Sequence, residues 1–314
     1  MSHKQIRMER LDSDRARRPV MVAVAGDSAA GKTTMTEGLA QALGPERVTT
    51  LCVDDYHRYD RSERKNLPFT ALHPDCNYVE IMEQHLQLLA TGRPILKPVY
   101  DHHTGQLTRP ELVEPHEFVI VEGLLPLHTR LSRACFDISI YLDPPEEIRR
   151  EWKVKRDTAN RGYSTEAVLD ELVRREPESA AFIRPQRTHA DIVVRFAPIA
   201  GRHDPPGTPL SAELMLRPTV RHPDLTCVLA DSEPRAIHLK LTRDSDGRPV
   251  DTLHIHGYAP QEETVVVKKA IWECLGVDAG EAPVTLGSLG GDARSEPLAI
   301  TQLLLLYHLL DPTR

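Results

Sequence analysis

The sequence has few cysteines, few aromatic residues and no long apolar run. Its five cysteines are scattered over 314 residues without a C-x-x-C pair, which argues against a disulfide scaffold and a cysteine-type zinc site. Aromatic residues make up only 5%, so the core must be mainly aliphatic. The longest apolar runs, residues 20–25 and 303–307, are far too short to cross a bilayer.

The sequence also lacks an excess of positive charge. It has 39 Lys and Arg against 46 Asp and Glu, a formal net charge of -7, which argues against a protein whose whole surface binds nucleic acid. Its 15 histidines lack the spacing of metal ligands, so no transition-metal site is expected. With a polar first segment and no secretory signal, we expect a soluble, cytoplasmic protein with no membrane or nucleic-acid partner.

The apolar segments that are present alternate between short β-branched runs and helical patterns. Strands are predicted over 20–25, 48–53, 118–121, 137–142 and 191–194, with helices over 32–43, 75–89, 145–159 and 165–174. Such alternation is typical of an α/β fold with a mostly parallel sheet and helices on both faces. Beyond residue 200, a hairpin over 236–241 and 250–256 and helices over 262–275 and 300–310 predict an α+β extension. We therefore divide the chain into a tail (1–18), a core (19–200) and an extension (201–314).

A phosphate-binding loop follows the first predicted strand. Its sequence, G-D-S-A-A-G-K-T, fits G-x-x-x-x-G-K-[ST] and leads into a helix, which predicts a P-loop NTPase-type sheet. The backbone N–H groups and the helix N-terminus favour an anion, Lys32 would reach the β- and γ-phosphates, and Thr33 would hold Mg²⁺. The predicted ATP-binding residues are Gly26, Asp27, Ser28, Ala29, Ala30, Gly31, Lys32, Thr33 and Thr34.

Acidic residues follow two other predicted strands. Asp54 and Asp55 come after the second strand, where ligands of open parallel sheets bind. A carboxylate there can accept the proton of an attacking hydroxyl. The basic residues that come next in the sequence are suited to binding an acceptor that carries a phosphate. Glu122 ends the strand over 118–121 and, with Thr33, is the predicted Mg²⁺ ligand.

Together these segments resemble the phosphoribulokinase/uridine kinase family of P-loop kinases. The resemblance covers residues 19–196, through D-D-Y-H-x-x-D-R at 54–61, T-A-L-x-P at 70–74, K-P-V-Y-D-H-x-T-G at 97–105, V-E-G-L at 121–124 and W-K-x-x-R-D at 152–157. It implies a phosphotransferase with an alcohol acceptor that uses ATP and Mg²⁺. Its closest agreement is with the phosphoribulokinases, which implies conversion of D-ribulose 5-phosphate to ribulose 1,5-bisphosphate in the Calvin cycle.

The resemblance also implies roles for single residues. Asp54 matches the catalytic base, and the segment with Lys153, Arg156 and Arg161 resembles a mobile lid whose cations would stabilise the transferred phosphoryl group together with Lys32. The implied substrate-binding residues are Asp55, His57, Arg61, Arg64, Lys65, Tyr100 and His102. The family forms dimers or larger assemblies, which implies a homo-oligomer that acts on a small-molecule sugar phosphate.

Two other functions are consistent with these residues. One is a uridine/cytidine kinase or another sugar kinase of the same family, although a neutral nucleoside does not require the cluster of Arg61, Arg64 and Lys65. The other is a nucleotide-binding regulator without turnover, and the presence of Lys32, Asp54 and Glu122 argues against it. Cys52 matches one cysteine of the redox pair in plant-type relatives, but Ala30 occupies the partner position, so no thioredoxin-type switch is predicted.

Overall fold

We describe the protein from a computed structural model. The described residues are 18–199, 201–202, 207–221, 225, 236–275 and 283–310. Most of the predicted tail and parts of the predicted extension lie outside them. The chain forms two compact units, one of residues 16–32 and 46–190, the other of residues 33–45 and 191–314, each within its described part. The predicted boundary at residue 200 stays a prediction.

The first unit contains four parallel strands. They are β1 (Val20–Gly26), β2 (Val48–Cys52), β5 (Phe118–Gly123) and β6 (Ile138–Leu142), in the order β2-β5-β1-β6. Val20 and Val48 both lie opposite Phe118, and Val22 lies opposite Ile138. Met21 to Ala25 are fully buried, as expected for a central strand covered on both faces. Because these strands are parallel, the chain segments that follow them lie at one edge of the sheet.

The first unit also contains helices and a β-hairpin. The helices are α2 (Arg61–Arg64), α3 (Val79–Ala90), α4 (Arg130–Ala134), α5 (Glu146–Arg161) and α6 (Thr165–Glu178), followed by π-helical and 3-10 turns over Ser179–Ile183 and Arg184–His189. Strands β3 (Ile95–Asp101) and β4 (Gln106–Val113) form a separate antiparallel hairpin. The α5 helix ends at Gly162, whose φ of 68° places it in the left-handed region that terminates helices.

The second unit contains α1 (Lys32–Leu43) from its second residue onward, because Lys32 belongs to the phosphate loop and to the first unit. Its antiparallel strands are β7 (Ile192–Ala197), β8 (Ser211–Leu216), β9 (Ile237–Arg243) and β10 (Pro249–Ile255), in the order β7-β8-β10-β9. Further elements are α7 (Gln261–Cys274), β11 (Ser288–Gly290), β12 (Ala293–Arg294) and α8 (Glu296–Leu310). Helix α8 is buried around nearly its whole circumference, rather than on the one apolar face that its sequence predicts.

The predicted fold class is confirmed, and most predicted elements lie within two residues of the observed ones. One helix is shorter than predicted. Helix α3 begins at Val79 and not at Asp75, because the backbone of Asn77 is extended and pairs with His57 in an isolated β-bridge. Within the described residues, no helix is both long and apolar enough to span a membrane.

Candidate active site

The phosphate loop follows β1, and the side chain of its own lysine, Lys32, binds the loop backbone. The Nζ of Lys32 donates to the carbonyl oxygens of Gly26 at 3.0 Å and Asp27 at 2.9 Å. A Cβ on Gly26 would lie 2.8 Å from the carbonyl oxygen of Leu142, and Gly31 has a φ of 93°, so both positions require glycine. Ala29 has a φ of 64°, which a non-glycine residue rarely adopts. The loop is therefore held in a strained conformation.

Two residues outside the loop fix its backbone. Asp27 is buried and accepts hydrogen bonds from the N–H of Ser28 at 2.6 Å and from the hydroxyl of Ser179. Arg149 on α5 donates to the carbonyl oxygen of Ser28 at 3.0 Å, and its guanidinium lies 3.6 Å from Asp27. The motif alone did not predict Arg149 or Ser179, because they come from segments more than 110 residues further along the chain.

Asp54 and Glu122 act electrostatically on this lysine. Burial lowers the pKa of Lys32, although Asp54 and Glu122 oppose the shift. Glu122 lies opposite Val24 of β1 and Cys52 of β2, which places it at the carboxyl end of the sheet as predicted from the strand pattern. Thr33 is the exposed second residue of α1, and Thr34 follows it half-buried. The loop lysine thus lies in a predominantly acidic centre.

Asp54 lies in a 3-10 turn, Val53–Tyr56, directly after β2. Burial alone would raise the pKa of Asp54, but electrostatic interactions with His57, His102 and Lys32 outweigh the effect of burial, so the pKa is below its usual value. Arg175 of α6 contributes in the same direction. The carboxylate is therefore ionised at neutral pH and able to accept a hydrogen bond or a proton.

Asp55 points away from its neighbour Asp54. It is buried, and it accepts hydrogen bonds from the Nζ of Lys97 and, at 2.9 Å, from the N–H of Tyr100. Lys97 also pairs with Glu111 of β4 at 2.9 Å. These contacts fasten the β3–β4 hairpin to the end of β2. They favour a positioning role for Asp55 over the direct substrate contact that the resemblance implies.

His57 is buried beside Asp54 and is held by an amide. Its Nδ1 lies 2.7 Å from the Oδ1 of Asn77, whose Nδ2 donates to the carbonyl oxygens of Ala71 and His73. Because the amide nitrogen is already donating, Oδ1 is the acceptor and Nδ1 of His57 carries the proton. Burial lowers the pKa of His57, so the ring is neutral and presents Nε2 as an acceptor.

The predicted phosphate-binding cations surround the tip of the hairpin. Arg64 donates to the carbonyl oxygen of Tyr59 at 2.8 Å and to the hydroxyl of Tyr100, and lies 4.8 Å above the centre of the Tyr100 ring. Arg61 donates to the carbonyl oxygen of His102 at 2.5 Å. Lys65 is exposed at the end of α2. Thus Arg61, Arg64, Tyr100 and His102, which are separated by about forty residues in sequence, form one group.

These features agree with known proteins. The sequence profile of the phosphoribulokinase/uridine kinase family matches residues 21–200. The chain belongs to this family. It is 42% identical over 181 residues to a phosphoribulokinase of Synechocystis, covering 58% of this chain and 54% of that protein. It is also 29% identical over 180 residues to a uridine kinase of Chloroflexus aurantiacus, covering 56% of this chain and 86% of that enzyme.

A solved phosphoribulokinase structure from Rhodobacter spheroides has the same fold, with a TM-score of 0.58 and 17% identity, covering 82% of this chain and 96% of that one. The chain spans about half the length of the curated phosphoribulokinases it matches. The family match ends near the end of β7, so it leaves the rest of the second unit outside it.

The cations that the family resemblance places on a lid converge on one carboxylate. Lys153 is 1% exposed and its Nζ donates to Asp157 at 2.7 Å. Arg156 and Arg161 lie 2.8 and 3.5 Å from the other oxygen of Asp157. Lys153 also lies 3.5 Å from Glu171 of α6. In this structure the three cations bind Asp157, and a lid movement that would carry them to the phosphates stays a prediction.

Proposed function

We propose that the protein is an ATP- and Mg²⁺-dependent kinase that phosphorylates D-ribulose 5-phosphate to ribulose 1,5-bisphosphate. The observation that carries this proposal is the approach of Asp54 to the hairpin tip, where its Oδ2 lies 3.7 Å from the Nε2 of His102. Lys32 and His102 both lower the pKa of Asp54, and the carbonyl oxygen of His102 is bound by Arg61. An ionised carboxylate would thus lie between the predicted triphosphate site and a cationic group suited to a second phosphate.

The residues would divide the reaction between them. The amides of the loop and Lys32 would bind the β- and γ-phosphates of ATP. An oxygen of Asp54 would accept the proton of the O1 hydroxyl of the sugar as the O1–phosphorus bond forms and the bond to the β-phosphate oxygen breaks, releasing ADP. The neutral His57 would accept a hydrogen bond from another sugar hydroxyl through Nε2. Catalysis is then mainly positioning and charge stabilisation.

Arg61, Arg64 and Lys65 would bind the 5-phosphate of the sugar. Tyr100 shapes this end of the site, because its ring lies under the guanidinium of Arg64. A planar guanidinium that is already oriented by an aromatic ring loses little freedom when it binds a phosphate. This group is the main reason to prefer a phosphorylated sugar to a nucleoside.

The donor set at the sheet edge fits Mg²⁺. Carboxylate and hydroxyl oxygens are the ligands this ion prefers, and Glu122 and Asp54 both act on the lysine of the loop. Glu122 and Thr33, next to Lys32 in the chain, would hold the ion. When bound, Mg²⁺ supplies positive charge that neutralises the β- and γ-phosphates.

A uridine kinase is the second candidate, because the chain is similar to one over nearly all of that enzyme's length. A test of both is ADP release from ATP and Mg²⁺ with ribulose 5-phosphate, with uridine and without an acceptor. We expect turnover with ribulose 5-phosphate only. Turnover with uridine alone would replace the leading function with the second candidate, and nucleotide binding without turnover on any acceptor would indicate a regulator.

Asp54→Asn tests the proton acceptor in the same assay. We expect this variant to lose at least about 10²-fold in kcat while it still binds ATP, because general-base catalysis contributes about 10²–10⁴-fold. Asp170→Asn, at an exposed position of α6, is the matched control and should keep normal turnover. Near-normal turnover of Asp54→Asn would refute the assignment.

We further propose a cytoplasmic homo-oligomer that works in the Calvin cycle, which sedimentation of the purified protein and the organism's carboxylase activity would test.

A further inference from the structure

Three metal-ligating side chains of different chemistry meet beside the site. Cys52 ends β2, Asp54 follows it in the 3-10 turn, and His102 lies at the tip of the β3–β4 hairpin. One ligand atom from each lies within 4.8 Å of the other two. We propose that these residues bind a thiophilic divalent cation such as Zn²⁺, and that this ion inhibits phosphoryl transfer. The inhibition depends on the proposed function, whereas the binding does not.

The donor set distinguishes this ion from Mg²⁺. A thiol, an imidazole and a carboxylate are the common ligands of Zn²⁺, whereas Mg²⁺ is bound through oxygen atoms and water. Three protein ligands leave a fourth tetrahedral position open for a water molecule. The site is thus selective by chemistry, although it shares Asp54 with the reaction centre.

The distance between two of the ligand atoms is already close to that around a coordinated ion. The Nε2 of His102 lies 3.7 Å from the Oδ2 of Asp54, which is too long for a hydrogen bond. Two atoms bound tetrahedrally at about 2.0–2.2 Å from one zinc ion lie roughly 3.3–3.6 Å apart. A contraction of a few tenths of an ångström would therefore bring this pair into a coordination geometry.

The backbone holds the ligands in place before any ion binds. Cys52 lies in the parallel ladder opposite Glu122. The hairpin tip is fixed by Asp101, which accepts from the N–H of His103 at 2.8 Å and from the hydroxyl of Thr104 at 2.7 Å. Arg61 binds the carbonyl oxygen of His102. Little conformational freedom is lost when the ion is bound.

The site is open and electrostatically favourable. The side chain of His102 is 45% exposed and that of Asp54 is 27% exposed, so an ion can enter from solvent. Burial and the charges of Asp54 and Glu122 raise the pKa of the Cys52 thiol, so an ion must displace its proton, but the same two carboxylates attract a cation. Lys32 opposes a cation, but its ammonium group is bound to the two loop carbonyl oxygens described above.

Binding would block the reaction at a defined atom. An ion coordinated to Asp54 occupies the lone pair that would accept the proton of the sugar hydroxyl, and it displaces the thiol proton of Cys52 to solvent. Inhibition should therefore compete with the sugar and should persist at high Mg²⁺, which does not bind the thiolate.

The site can be detected with Co²⁺ as a spectroscopic substitute for Zn²⁺ on the full chain. We expect a thiolate-to-cobalt charge-transfer band in the wild-type protein, its loss in Cys52→Ala, and its retention in the control Cys135→Ala, which removes another half-buried thiol. His102→Ala should weaken Co²⁺ binding by at least roughly tenfold. Absence of the band from the wild type, or its persistence in Cys52→Ala, would overturn the proposal.

The inhibitory effect is measured separately in the ADP-release assay. Cys52→Ala should keep its basal turnover and require at least roughly tenfold more Zn²⁺ for half-inhibition than the wild type or Cys135→Ala. Equal Zn²⁺ sensitivity of all three would refute inhibition through this site. If no acceptor supports turnover, the proposed function fails, and the cobalt band still decides whether the site binds metal.

Discussion

Lys153 and Asp157 form an ion pair inside the first unit, with Nζ and Oδ2 2.7 Å apart and both side chains 1% exposed. They are one helical turn apart on α5, which the i, i+4 spacing allows. Two arginines bind the remaining oxygen of Asp157. The cations that the family resemblance assigns to phosphate chemistry are thus held together by one buried carboxylate.

The first prediction concerns this carboxylate. Asp157→Asn removes the charge that compensates Lys153 and the two arginines, so it leaves a buried ammonium group with only Glu171 at 3.5 Å. We expect a loss of about 3 kcal/mol in the free energy of unfolding, the lower end of the range for breaking a buried ion pair. Urea unfolding would measure it. Glu151→Gln, at an exposed position of the same helix, should change stability by less than about 0.5 kcal/mol. Equal stability of both variants would contradict the prediction.

The second prediction is the pH dependence of the same interaction. Burial alone would raise the pKa of Asp157, but hydrogen bonds from Arg156 and Lys153 lower it to about 2. A carboxyl group whose pKa is depressed in the folded state stabilises the fold above its unfolded pKa of about 3.9, and that stability is lost as the pH falls through about 2. The stability difference between wild type and Asp157→Asn should therefore shrink by roughly half between pH 6 and pH 3. A difference that stays constant over this interval would show that the ion pair is not its source.

The third prediction concerns Arg175, a residue that the motifs did not single out. Its charge is among those that lower the pKa of Asp54. In Arg175→Ala this pKa should rise, so the acid limb of the kcat profile should move to higher pH. Arg174→Ala removes the same charge from an exposed neighbouring position and should leave the limb unchanged. Identical profiles for the two variants would mean that Arg175 does not act on the base.

The fourth prediction concerns the support of the phosphate loop. Arg149→Met removes the hydrogen bond to the carbonyl oxygen of Ser28 and the charge near Asp27 while it keeps an unbranched apolar stem like that of arginine. We expect the Kd for ATP to rise by roughly tenfold, which corresponds to about 1.4 kcal/mol. Calorimetric titration would measure it. Arg150→Met, exposed on the same helix, should bind ATP normally. Unchanged affinity in Arg149→Met would show that the loop holds its conformation without α5.

The fifth prediction lies in the second unit. A Cβ on Gly38 of α1 would lie 1.9 Å from the Nε2 of Gln302, whose buried amide also accepts from the N–H of Gly287 at 2.7 Å. Gly→Ala inside a helix normally stabilises it by up to about 1 kcal/mol. Here Gly38→Ala should instead lower the free energy of unfolding by about 1–3 kcal/mol, because the side-chain amide of Gln302 must give up its hydrogen-bond partners.

A double-mutant cycle with Gln302→Ala provides the control for Gly38→Ala. The loss of stability caused by Gly38→Ala should be much smaller in the Gln302→Ala background, since the two residues are in direct contact. Additive effects of the two substitutions on the midpoint of thermal unfolding would contradict this account.

The elements that the sequence predicted best are those whose signal is local. Strand β1 is buried on both faces and leads into a glycine-rich loop. The apolar run, the phosphate-loop motif and the start of helix α1 therefore follow one another in the sequence and support the same prediction. The start of α3 was missed because the contact that ends the preceding turn joins His57 to Asn77, twenty residues apart. The β3–β4 hairpin was missed because β4 is exposed at seven of its eight positions and shows no apolar alternation.

Only part of the candidate site was predicted, because only part of it depends on local sequence signals. The motif placed Lys32, Asp54 and Glu122 at one sheet edge, because parallel strands end together. A charged side chain predicts an exposed position, so the burial of Lys153, which depends on Glu171 from the next helix, was not foreseen. Likewise, the grouping of Cys52 and Asp54 with His102 depends on how the hairpin folds back over β2. No spacing within the sequence encodes that.

The anchoring of the hairpin through Asp55 has a consequence for how the site opens. A lone pair of strands is at best marginally stable by itself, and here its ladder is fastened to β2 through the two buried contacts of Asp55. We therefore expect the hairpin to open locally without unfolding of the parallel strands. Each opening would withdraw Tyr100 and His102 together. Acceptor binding that holds the tip against Arg61 and Arg64 would shift the opening equilibrium toward the closed form and slow the exchange of the hairpin amides with solvent.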